Sequence, residues 1–188
     1  MIFRLFAAAL AAMMLAGPVH AGEVQELATK AEAEVGSGKG ADAITTMRDA
    51  LLTVWDKSPL TFTNAFTVQE KANGFGLYKR RADGPYQLKE PILIYAEPVG
   101  FGWRKEGELY NSDMVADFVL HNAEGKVLGG QKEFGNFKVS SHVRNTEYFI
   151  NLRYNLTGLP AGKYVIVSTI RDLVAGKSGS FETPFEIR

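Results

Sequence analysis

The feature that most constrains this chain is a run of strict alternation near its C-terminus, from Tyr148 to Ile187. Tyr148, Ile150, Leu152, Tyr154 and Leu156 interleave with Phe149, Asn151, Arg153 and Asn155, the period-two pattern of a half-buried strand. A Gly/Pro turn, Thr157–Gly162, leads to a second strand, Lys163–Ile170, with Tyr164, Ile166 and Ile170 on one face and Val165 and Val167 on the other. A third, Ser180–Ile187, sets Phe181, Phe185 and Ile187 against Glu182 and Glu186. Three strands with an apolar face anchor a sheet, and the rest of the chain must pack on them. This stretch specifies a fold and carries no chemistry.

The opposite end reads differently. Arg4 gives a short positive region, Leu5–Ala16 is an alanine-rich apolar run too short to span a bilayer, and Val19-His20-Ala21 places small residues at −3 and −1. Residues 1–21 are therefore expected to be a signal peptide cut after Ala21, which places the mature protein in the periplasm or outside the cell. No cysteine occurs anywhere, so neither a lipid anchor nor a disulfide framework is available. No later stretch is apolar enough for a transmembrane helix. The chain has 21 basic and 21 acidic residues, and losing Arg4 leaves a single excess acid. Dispersed, balanced charge gives no electrostatic footprint for nucleic acid or anionic lipid.

Between these ends the pattern changes once. Val24, Leu27, Ala28, Ala31 and Val35 share one face of a helix, with Glu26 and Lys30 placed to pair outside it. Gly36–Gly40 ends that helix, and a second begins near Asp42 with Ile44, Met47, Leu51, Val54 and Trp55 on one face, stopped by Ser58-Pro59. The glycine loop is no P-loop, because Ala33 and Gly40 stand where that motif needs Gly and Ser/Thr and a helix precedes it. From Leu60 onward strands follow one another, with a phase shift at Asn64-Ala65, an Ile92–Ala96 strand apolar on both faces, a Met114–Leu120 strand, and a turn at Asn122–Gly125. The expected fold is mainly β: a helical hairpin over 22–58, then an antiparallel β-sandwich over 59–188, with a barrel as the rival closure.

The block Leu156–Val167, which contains Leu159-Pro160-Ala161-Gly162-Lys163-Tyr164, resembles the closing strands of bacterial immunoglobulin-like sandwich domains, and the likeness runs over residues 154–188. It implies an immunoglobulin-like fold and no activity. The disulfide and its packed tryptophan, hallmarks of antibody-type domains, have no counterpart here.

Chemistry is sparse. Only His121 and His142 follow Ala21, and no nucleophile elbow occurs, so no catalytic residue, metal ligand or cofactor is assigned. Asp117 and His121, four apart on one strand, would be about 13 Å apart, too far to share a metal or a proton. Glu97, Glu106, Glu108, Asp113 and Asp117 crowd one segment, and two of them facing one cleft would support a hydrolase acting on an envelope polymer. The aromatics Phe75, Tyr78, Tyr86, Phe101, Trp103 and Tyr110, with Arg104, lie in glycine- or turn-rich segments. They either form a contact surface for a protein or an envelope glycan, or peg long loops onto the sheets. The expectation is a non-catalytic, exported binding or interaction module that meets its partner through the 74–110 loops, with the hairpin either covering a sheet or engaging a partner. A structural envelope protein pairing through an edge strand at 180–188 is a third possibility.

Overall fold

The structure, a computed structural model, describes residues 22–188. The expected signal peptide, residues 1–21, lies outside the described residues. The fold is mainly β with two helices, and its named strands pair antiparallel. The chain divides into two compact units, one ending at Leu51 and the other running from Leu52 to Arg188.

The first unit is a helical hairpin. Helix α1 (Glu23–Gly36) and helix α2 (Gly40–Lys57) are joined by a tight loop in which Gly38 has a φ of 76°. Thr46 Oγ1 donates to Glu34 Oε2 at 2.8 Å, and Lys30 pairs with Glu34 along α1. Ala31 and Ala43 are buried, so the helices approach on small side chains. The last turns of α2 belong to the second unit.

There, β1 (Thr61–Thr67), β2 (Ile92–Val99) and β6 (Ile150–Tyr154) form a small sheet with β2 in the middle. The large sheet runs β5 (Val127–Ser141), β4 (Leu109–Asn122), β7 (Gly162–Asp172), β8 (Ser178–Ile187), with β3 (Arg104–Glu106) beside the start of β4. One core joins the two sheets. Ile92, Ile94, Ile150 and Leu152 come from the small sheet, and Met114, Ala116, Ile166 and Ile170 from the large one. Trp55, at the end of α2, belongs to the same core: its Nε1–H donates to the Phe101 carbonyl at 2.7 Å and its ring meets Phe101 edge-on.

The three C-terminal strands do not share a sheet. β6 pairs with β2, whereas β7 and β8 pair with each other and with β4. The Gly/Pro turn between β6 and β7 is the crossing point between sheets, and Tyr164 fixes it by donating its hydroxyl to the Pro160 carbonyl at 2.8 Å. The phase shift anticipated in β1 is a register break between Phe62 and Asn64. The 180–188 edge is partly taken within the chain: Tyr86 N–H donates to the Glu186 carbonyl, and Arg188 N–H to the Tyr86 carbonyl.

Candidate functional site

Two regions stand out, one saturated with partners and one without them. The saturated region is the outer face of the small sheet. Alternation turns Ile92, Ile94 and Ala96 to the core and Leu93, Tyr95 and Glu97 outward. The outer side chains are not left in water, because the chain after β1 folds across them. Val68 and Ala72 pack on Tyr95, with Phe66, Tyr78 and Phe149 around them. Tyr78 and Tyr95 have ring centroids 4.7 Å apart, and the Arg80 guanidinium lies 3.7 Å above the Phe66 ring.

Under this cover sits a buried carboxylate, Glu97. Its Oε2 accepts from Asn64 Nδ2 at 2.7 Å and Thr63 Oγ1 at 3.0 Å, and its Oε1 accepts the Tyr95 hydroxyl at 2.6 Å. Tyr95 Oη in turn accepts the Gly76 N–H at 2.9 Å, tying the crossing segment to the sheet. Burial alone would raise the Glu97 carboxyl, but the three donors outweigh it and hold the group below the usual carboxylate range. Tyr95 is pushed up to about 12, first by burial and then by its bond to Glu97. A buried anion whose lone pairs are filled is a structural node, and it offers no proton at neutral pH.

The other expected carboxylates are spent elsewhere. Asp113 and Asp117 lie on the outer face of the large sheet, across the core from Glu97. Asp113 pairs with Lys138 at 3.2 Å and Asp117 with Arg171 at 2.8 Å, while Glu106 pairs with Arg104 at 2.7 Å and Glu108 is exposed. Arg171 also holds Asp117 below the usual carboxylate range. Glu97 thus lies on the opposite side of the core from Asp113 and Asp117, and Glu97, Glu106, Asp113 and Asp117 each already have a bonded partner. Among the described residues, no group of three His, Asp or Glu side chains is placed to hold a metal.

The seven expected contact residues are scattered. Phe101 is 0% exposed and Tyr86 4%, so both are core side chains and neither reaches a surface. Trp103 is half-buried against Phe101, with its Nε1 buried and unpartnered. Tyr78 belongs to the cover over Tyr95. Phe75 is exposed at the tip of that segment, Arg104 is exposed and paired with Glu106, and Tyr110 is half-buried with Lys105 above its ring. Beside Phe101, Gly100 has a φ of 79°, and a Cβ there would run into the Pro59 carbonyl oxygen, so its backbone is pressed against the chain itself.

The region without partners is on the hairpin. Ile44 is 71% exposed, Val35 63%, Met47 49% and Leu51 46%, and Val24 is exposed as well. The expected apolar face of α2 is thus real but uncovered, and Trp55 is the member of it that is buried. Ala28, Ala31, Ala43, Val35, Ile44 and Met47 line a groove of about 690 Å³ along the hairpin. The side-chain steps are regular: 24, 28, 31, 35 on α1 and 44, 47, 51 on α2 advance by alternating threes and fours. That 3.5-residue period keeps a stripe parallel to the helix axis, the spacing by which one helix packs along another.

Comparison with known proteins supplies no assignment. No family model matches the chain, and no curated protein matches it. Among solved structures it is similar to the alkylpurine DNA glycosylase AlkC of Pseudomonas fluorescens at 10% identity and a TM-score of 0.38, over 89% of this chain and 43% of that one. It is also similar to a superoxide reductase (neelaredoxin) of Ignicoccus hospitalis at 9% identity and a TM-score of 0.34, over 68% of this chain and 82% of that one.

Proposed function

We propose that this protein is an exported, non-catalytic interaction module of the cell envelope, in which an immunoglobulin-like β-sandwich is the scaffold and the helical hairpin is the contact element. The observation that carries the reading is the row Val35, Ile44 and Met47, exposed along one groove, with Leu51 exposed one helical turn beyond Met47. Covering one such side chain stabilises a complex by about 1.5–3 kcal/mol, and contiguous apolar surface of this kind marks interaction sites. Export rests on the apolar run and small-residue site before Gly22. The immunoglobulin-like assignment is supported by the bond from Tyr164 to the Pro160 carbonyl, the corner that such sandwiches use where the chain enters a strand.

The contact surface accordingly moves from the 74–110 loops to the hairpin. The 3.5-residue steps favour a helical protein partner over a glycan, which is met by rings and polar groups and not by an aliphatic stripe. The test is in-cell photocrosslinking from position 44, with position 103 as the comparison. The reading expects a discrete protein adduct from position 44 and none from position 103. Adducts from position 103 alone, or from neither, would remove it.

A further inference from the structure

We propose that the hairpin face binds the same face of a second copy of this chain, α2 of each copy lying along α1 of the other. The inference rests on the reading above and names its partner. Three observations support a second copy over an unrelated helix.

The first is shape. The α1 side of the face is small, Ala28 and Ala31 between Val24 and Val35, whereas the α2 side is large, Ile44, Met47 and Leu51. A ridge and a trough on one surface complement each other when that surface meets its own copy about a two-fold axis. The second is length. Val24 to Val35 spans about 16 Å and Ile44 to Leu51 about 10 Å at 1.5 Å per residue, so the ridge fits within the trough. With the axis running along the hairpin, all four helices lie antiparallel to their neighbours, the up-down arrangement of simple bundles.

The third is charge. Helix α1 carries four acids and one base, which would repel an acidic partner and select a cation on the opposing helix. Glu34 is turned to α2 and bonds Thr46, so Glu32, which lines the groove, flanks the stripe on the other side. Arg48 is three and four residues from Leu51 and Ile44 and flanks the α2 stripe in the same way. Both side chains are exposed, and among the described residues neither has a hydrogen bond or ion pair. Laying α2 of one copy on α1 of the other brings each Arg48 onto the flank that carries Glu32 of the opposite copy. The face is about 15 Å by 20 Å, so the pair covers on the order of 600 Å² in total, less than a standard specific interface, and the dimer is a weak one that dissociates in the micromolar range or above.

Sedimentation velocity of the chain from Gly22, as a concentration series, tests this with a charge exchange. The expected result is a monomer–dimer equilibrium that Arg48→Glu and Glu32→Arg each weaken at least tenfold, because each sets like charges together twice. An equimolar mixture of the two variants is expected to recover the dimer as a heterodimer, since the exchanged charges then face each other in one place and the original Arg48 and Glu32 in the other. Both positions are on exposed helix surface, and a dilute thermal melt confirms that each variant folds. A monomer at every concentration overturns the inference, as does a dimer indifferent to both substitutions. If the chain is monomeric while position 44 still crosslinks to a different protein, the second-copy inference fails and the contact-surface reading stands. If position 44 gives no adduct either, both fail.

Discussion

The outer face of the small sheet and the apolar stripe of the helical hairpin begin with the same problem and end differently. Each presents a set of apolar side chains that water does not favour. On the sheet, the chain after β1 crosses over Tyr95, covers it with Phe66, Tyr78 and Phe149, and secures the cover through Glu97 and Gly76. On the hairpin, Ile44 and Val35 remain exposed, and the groove beside them is lined by residues of the hairpin itself. The contrast separates rings packed within the fold, such as Tyr78, Tyr95 and Phe101, from aliphatic side chains that stand exposed, and on the function proposed above only the latter are available to a partner.

The sharpest way to break this comparison is to truncate one isoleucine in each region. Ile166→Ala, in the shared core and fully buried, is expected to cost about 2–5 kcal/mol in urea unfolding. Ile44→Ala is expected to leave unfolding within about 0.5 kcal/mol when the protein is dilute, because an exposed side chain has little native packing to lose. A cost for Ile44 that approached the Ile166 value would mean that the hairpin face is already covered within one chain.

Between these extremes lie the polar substitutions under the sheet cover. Tyr95→Phe removes a donor to a buried carboxylate and the acceptor of the Gly76 N–H, and is expected to cost about 1–3 kcal/mol. Faster amide exchange at Gly76 should accompany it, which a general loosening of the core would not confine to that segment. Acid gives an independent reading of the same node. Glu97 and Asp117 are both held below their ordinary range, so the folded state binds protons less readily than the unfolded chain. Their contribution is therefore complete above the usual carboxylate range and lost as pH falls through the lowered values. Glu97→Gln should flatten the acid side of the melting-temperature profile, and an unchanged profile would show that the node contributes nothing.

Much of the β unit is legible in the sequence because period-two alternation and turn residues report local geometry directly. The β2 strand, apolar on both faces, is central as that pattern implies, and β1 does break, although between Phe62 and Asn64, just ahead of the expected Asn64-Ala65. Alternation does not say which strands become neighbours, and so β6 and β7, joined by a tight turn, were expected together although they lie in different sheets. The Tyr95–Glu97 node left a faint signal, a carboxylate two residues from a tyrosine in an otherwise apolar strand. Its donors, Thr63 and Asn64, come from a strand more than thirty positions earlier in the chain, where no local pattern reaches. The stripe on α2 could be read residue by residue. Whether it is covered depends on everything else the chain does, which is why a face that looks like core can be a surface.

Only two methionines follow Ala21, and they fall one in each region: Met114 in the shared core, fully buried, and Met47 on the hairpin stripe, exposed. Timed peroxide oxidation with peptide mass spectrometry, at low and at high protein concentration, reads both in one sample. The account expects Met47 to oxidise far faster than Met114 in dilute protein and to become protected as concentration rises, with Met114 slow throughout. Equal, slow oxidation of both at every concentration would place Met47 in a closed interior and contradict the claim that the hairpin face is this protein's contact surface.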